Sequence, residues 1–310
     1  MNPVLTVRKL KKVYGAPKKP FVAVNEISFD LKAGEILGLV GPNGCGKTTT
    51  IQMLLGTLSY TSGSIHYFGE EFAQNRSNIL QNVSFASTYT SLPYSLTVEE
   101  NLHSFGLLYG LSKKESMRRV NSLLDRFGIL EKKKQKVSSL SAGQVTRLML
   151  AKAFYTTPKI VLLDEPTASL DPDIASEVCE FLLEQRNKTG LSILFTSHKM
   201  NEVAYLCDRT IFLKKGSIIA DDIPKKLAKS ISSVRIKLTI VDGMKRMKAM
   251  AQNQKLIHRV EEKKFIFSVE EKEIPMFLDA LIQSKIHYSN IQIEEPTLED
   301  YFLHIAEEPL

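Results

Sequence analysis

The sequence predicts an α/β fold built on a parallel sheet, followed by a smaller α+β domain, and three observations carry that reading. Residues 36–40 and 160–163 are short, almost wholly apolar runs, the pattern of strands covered on both faces. The first run passes through a glycine-rich turn into a helical segment, and the second ends in two acids, Asp164 and Glu165. Beyond residue 224 the pattern changes. Residues 234–240, 255–260, 264–270 and 287–293 alternate apolar and polar as strands do, with helical segments at 244–252 and 273–284 between them. That order, β-α-β-β-α-β, predicts a ferredoxin-like domain over residues 225–310.

Composition narrows the class. At about 150 residues per domain, 310 residues make one and a half to two domains, and 43% hydrophobic with 24% charged residues describes a folded chain. No apolar run approaches the roughly 20 residues that cross a bilayer. The start has no uninterrupted apolar stretch after its charges, so no secretory signal is expected. Cys45, Cys179 and Cys207 fit neither a disulfide framework nor a zinc spacing, which points to the cytoplasm. The net charge of +7 suits nucleic acid, anionic lipid or an acidic ligand. Its excess lies in residues 1–224, with 27 basic and 21 acidic side chains, against 14 and 13 in the remainder. The basic clusters at 8–19, 113–119 and 132–136 lack the interleaved aromatics of a nucleic-acid platform, so a solvated or membrane-facing surface is expected.

The turn itself is the most informative segment. Gly41, Pro42, Asn43, Gly44, Cys45, Gly46, Lys47 and Thr48 fit G-x-x-x-x-G-K-[ST], with Thr49 continuing into the helix. The glycines allow backbone N–H groups to converge on phosphate oxygens, and the helix N-terminus adds partial positive charge. Lys47 reaches the β- and γ-phosphates of a nucleotide, and the Thr48 hydroxyl ligates Mg2+. A dinucleotide fingerprint needs its glycines elsewhere. Cys45 reads as a small filler whose thiol, if reachable, would make turnover sensitive to alkylation.

Asp164 stands where a second Mg2+ ligand is required, and Glu165 beside it can polarise an attacking water. The alternative is a pair of capping acids before Pro166. Residues 140–144 read Leu-Ser-Ala-Gly-Gln before a helical run at 145–154, so Ser141, Ala142, Gly143 and Gln144 make a second anion-binding corner.

This last segment resembles the LSGGQ signature of ATP-binding cassette (ABC) proteins. Other elements follow in the family's order: Ser169-Leu170-Asp171 is similar to the D-loop, His198 to the switch histidine, and Tyr14 sits where an aromatic stacks on adenine. The resemblance spans residues 4–224. It implies a P-loop NTPase cassette with a parallel core sheet, an antiparallel β subdomain near residues 4–35 and 60–86, and a helical subdomain near 89–157. It implies a head-to-tail dimer, each ATP lying between residues 41–49 of one chain and 141–144 of the other, with Asp171 near it. Asp164 would organise Mg2+, Glu165 would be the base, and His198 would hold the γ-phosphate and the water. A separate membrane permease would be the partner, with the chain peripheral on the cytoplasmic face and no nucleic acid.

Two positions depart from the family pattern. The glutamine expected after the strand near residue 86 is replaced by Ser87 or Thr88, a shorter hydroxyl ligand for Mg2+. Ala142 replaces a glycine. Near the end, residues 296–302 resemble the P-S-L-E-D-x-F tail of cassettes serving ABC-2 type exporters; the alternative is a helix capped by Thr297 and Asp300. Competing functions are a cassette ATPase acting on ribosomes or DNA, and an ATP-responsive regulator.

Overall fold

The computed structural model describes residues 3–16, 19–87, 92–231, 233–253, 258–261 and 264–307. The chain divides into two compact units, residues 1–224 and 225–310.

In the first unit, β1 (Pro3–Tyr14) and β2 (Phe21–Lys32) form an antiparallel hairpin. Next, β3 (Ile36–Val40) runs through the glycine turn into α1 (Lys47–Leu54). The chain returns to the hairpin with β4 (Ser62–Tyr67) and β5 (Glu70–Glu71), then crosses through α2 (Phe72–Leu80) to β6 (Val83–Ser87). The helical insert holds α3 (Val98–Leu108), α4 (Lys113–Arg126) and α5 (Ala142–Phe154). Then come β7 (Ile160–Asp164), α6 (Pro172–Thr189), β8 (Ser192–Thr196), α7 (Met200–Leu206), β9 (Arg209–Lys214) and β10 (Ser217–Asp222).

Two sheets result. One is antiparallel in the order β2-β1-β4-β5; the other runs β10-β9-β3-β8-β7-β6 and is parallel except at β10. Every residue of β3, β7 and β8 is buried, as strands flanked by helices on both faces must be. Apolar side chains of both sheets, among them Leu5, Ile27, Leu39, Tyr67 and Leu162, form one core with Ile51 of α1. The expectation that residues 83–86 belong to the antiparallel portion is corrected. They lie in β6, which pairs parallel with β7 because the helical insert α3–α5, between the two strands in the chain, provides the crossover that parallel pairing needs. Helix ends follow local chemistry: Thr97 and Glu100 form a capping box on α3, and Pro172 starts α6, which ends at Gly190 in the left-handed region.

The second unit contains α8 (Pro224–Lys229), β11 (Ser233–Asp242), α9 (Met244–Asn253), β12 (His258–Glu261), β13 (Lys264–Glu270), α10 (Ile274–Gln283), β14 (His287–Glu294) and α11 (Leu298–Glu307). Its antiparallel sheet runs β12-β13-β11-β14, so the outer strands are the second and last of the β-α-β-β-α-β order, the ferredoxin-like arrangement. Of the strand expected at 255–260, residues 255–257 lie outside the described residues. Ile236, Leu238, Phe265 and Phe267 meet Met247, Phe277 and Leu281 of α9 and α10 in a separate core. Thr297 and Asp300 do cap α11: the Thr297 hydroxyl accepts from the Asp300 N–H, and the Asp300 carboxylate accepts from the Thr297 N–H. Among the described residues no helix is long and apolar enough to cross a membrane.

Candidate functional site

The glycine turn is fixed by close backbone contacts. At Gly41 (φ 149°) a Cβ would lie 2.1 Å from the Leu213 carbonyl oxygen, and at Gly46 (φ 112°) it would lie 2.6 Å from the Ala23 carbonyl oxygen. Only glycine fits either position. Gly46 is the N-cap of α1, and no side chain caps that helix. Its first-turn N–H groups therefore have no intrahelical partner and face the turn. Lys47 is buried and folded back, donating from Nζ to the Gly41 carbonyl at 2.7 Å and to that of Pro42 at 3.4 Å. Cys45 is buried as well, and burial pushes its thiol above the usual range.

Beyond the turn, β7 and β8 deliver the acids and the histidine. Asp164 is buried, and that burial raises its carboxyl above the usual aspartate range, while hydrogen bonds from Thr196 (2.8 Å) and Thr48 act in the opposite sense. The Thr196 hydroxyl also accepts from the Glu165 N–H at 2.9 Å, so one threonine orients both acids. Glu165 has φ 53°, a left-handed backbone that strains a non-glycine residue by about 1–3 kcal/mol. Its Oε2 accepts from His198 Nδ1 at 2.6 Å. Among the described residues no three His, Cys, Asp or Glu side chains group as a metal cage. Thr48 and Asp164 together are nonetheless the sparse oxygen set that Mg2+ takes when phosphate and water complete its shell. Thr88 lies outside the described residues; Ser87 is buried and stands opposite Asp164 in the β6–β7 register.

Tyr14, Asn43, Gly44, Gly46, Lys47, Thr48, Thr49 and Glu165 line one cleft of about 510 Å³. Phe21 and Ala23 line it too, and the sequence reading missed them. The available signal was an aromatic near Tyr14 across a short connection: Phe21 is 60% exposed and pairs directly with Tyr14 in the hairpin. Ser141, Ala142, Gly143, Gln144 and Asp171 do not line that cleft. Ser141 is the N-cap of α5: its hydroxyl accepts from the Gln144 N–H at 3.3 Å, and Gln144 Oε1 accepts from the Ser141 N–H at 3.0 Å. Asp171 is exposed at the start of α6, and the adjacent loop is tied to α5 through the Ser169 and Thr146 hydroxyls, 2.7 Å apart.

Residues 24–168 match the ABC transporter family. The chain is 32% identical to the linearmycin resistance ATP-binding protein of Bacillus subtilis (strain 168) over 98% of each chain. It is also 32% identical to the Nod factor export ATP-binding protein I of Rhizobium johnstonii, over 99% of this chain and 96% of that one. A solved ATP-binding subunit of an ABC transporter superposes with a TM-score of 0.67 at 28% identity, covering 73% of this chain and 92% of its own. The chain belongs to the ABC transporter family as an ATP-binding subunit, an ATPase that serves transport.

Proposed function

We propose that this chain powers a separate multi-spanning permease, as one of two cassettes that close head to tail on ATP, in an exporter of the ABC-2 type. The observation that carries the dimer is the separation of two motifs in one chain. Asn43, Gly44 and residues 46–49 line the cleft, whereas residues 141–144, an intact signature-like helix start, do not. A second copy would bring them together across each nucleotide. In this reading residues 1–224 form the cassette and residues 225–310 an accessory domain.

Within the cleft, Tyr14 and Phe21 would stack on adenine, and the N–H groups of residues 41–49 would receive the phosphates. Lys47 would exchange its two carbonyl partners for β- and γ-phosphate oxygens. Thr48, Asp164 and a hydroxyl at Ser87 or Thr88 would hold Mg2+, which offsets phosphate charge. Glu165 would take the proton of the water that attacks the γ-phosphorus, as ADP leaves with the broken β–γ bridging oxygen. His198 would orient that water and the γ-phosphate. With a hydroxyl in place of a glutamine, slow but real turnover is expected.

The membrane partner is supported by the end of α3, where Leu107 is 77% and Leu108 is 80% exposed. Leu108 and Tyr109 border a cleft of about 680 Å³ between the helical insert and α2. An exposed apolar pair of this kind suits a protein partner. It would place the chain on the cytoplasmic face of the membrane. The export direction rests on the tail resemblance at residues 296–302 and on the relative named for Nod factor export.

The test is Glu165→Gln. ATP binding should persist, turnover should fall roughly 10²–10⁴-fold, and an ATP-bound dimer should accumulate. Wild-type turnover would remove Glu165 from the base role, and a variant that stays monomeric with ATP would remove the dimer. Purification from membranes should bring a multi-spanning protein with the chain.

A further inference from the structure

We infer that Glu202 is a positioning residue that sets the Glu165–His198 pair, a reading that rests on the roles proposed above for those two residues. Glu202 lies in the first turn of α7, and its side chain is 13% exposed. An acid there already suits the helix dipole, but its oxygens are engaged elsewhere. Oε2 accepts from the Thr167 hydroxyl and from the Ser197 hydroxyl, the latter at 3.2 Å. Oε1 pairs with Lys199 Nζ at 3.1 Å, and that ammonium also donates to the Thr167 carbonyl at 3.0 Å.

The two hydroxyls belong to different turns. Thr167 is two residues after Glu165, in a turn closed by the Ala168 N–H on the Glu165 carbonyl at 3.2 Å. Ser197 immediately precedes His198, and its oxygen accepts from the Lys199 N–H at 3.0 Å. One carboxylate therefore fastens the turn bearing the base to the turn bearing the histidine. Thr167 and Ser197 are each buried, so neither hydroxyl can turn to water if the carboxylate is removed. Glu165 is held in a strained backbone, and a strained residue keeps its geometry only while its surroundings enforce it. The 2.6 Å spacing between Glu165 and His198 is what this clamp enforces.

The experiment measures steady-state ATP turnover of the full chain carrying Glu202→Ala, Glu202→Gln or Thr167→Val, beside Glu165→Gln and the double variant Glu165→Gln/Glu202→Ala. Glu202→Ala and Thr167→Val should lower kcat by about 10- to 100-fold with the ATP KM unchanged. Glu202→Gln, which keeps one acceptor oxygen, should recover part of that loss. In the double variant Glu202→Ala should add little to Glu165→Gln, because there is no base left to position. Thr167→Val keeps the buried volume and guards against a folding defect in Glu202→Ala. Slow Glu165→Gln with wild-type kcat in both Glu202→Ala and Thr167→Val overturns the inference. So does a fully multiplicative double variant, or a change confined to KM. Wild-type turnover in Glu165→Gln instead overturns the base assignment itself.

Discussion

The starts of α1 and α5 are both helix N-termini that the sequence marks for anion binding, yet they are finished in opposite ways. At α1 the cap is Gly46 in a left-handed conformation, with no side chain over the first turn. At α5 the cap is Ser141, whose bonds with Gln144 satisfy N–H groups of that helix from within. A bare helix start leaves its N–H groups for a ligand, whereas a capping box makes the helix stable by itself. The first half of the proposed composite site is therefore committed to phosphate. In the second half the Ser141 oxygen accepts within the box, and the hydroxyl keeps its own proton to donate to a nucleotide held by another chain.

The largest expected effect tests the committed half. Lys47→Ala should reduce ATP turnover at least about 100-fold in a phosphate-release assay, with the α5 region unaffected. Retained turnover would break the comparison, since the bare helix start would then not be the phosphate site. Asp164, facing Thr48 of α1, gives the next effect. Its pKa is raised by burial, so the folded chain without metal is disfavoured as pH rises and the carboxylate becomes charged. Mg2+ needs that charge, so its affinity should fall on acidification at a higher pH than for an ordinary aspartate. Asp164→Asn should raise the melting temperature of the metal-free chain, by about 2–4 °C for each kcal/mol, and abolish the further shift with Mg2+. A lowered melting temperature would contradict the desolvation account.

Ser141→Ala sharpens the other half. Loss of the cap should destabilise the chain by about 1 kcal/mol in thermal or denaturant unfolding, and turnover should fall while ATP binding to the isolated chain persists. A variant that also loses ATP binding would mean that α5 serves its own chain's nucleotide. The smallest effect concerns Cys45, within the committed turn. Because it is buried and its thiol is raised by burial, alkylating reagent should leave turnover unchanged. Inhibition would show that the turn opens further than this geometry allows.

Local order explains which parts were legible. The buried strands β3 and β7, the glycine turn and the Thr297–Asp300 cap all depend on residues within a few positions of one another, and linear spacing is enough to find them. Even the ferredoxin-like order of the second unit follows from alternation and helix periodicity. The placement of residues 83–86 is not legible in the sequence, because a short strand carries no mark of its neighbour. Pairing with β7, far along the chain, decided it.

The residues of the proposed chemistry are all marked along the chain: the phosphate turn, Lys47, Thr48, the acids Asp164 and Glu165, and the signature-like start of α5. The tertiary structure decided how those groups are held. It put Thr196 on both acids, gave Glu165 its left-handed backbone, set Phe21 beside Tyr14, and joined two turns through Glu202. The physical reason is that a residue's covalent type and local spacing are written along the chain. Hydrogen bonds between turns some 30 residues apart, and the burial that shifts Asp164, exist only once parallel strands have brought those turns to one edge of the sheet.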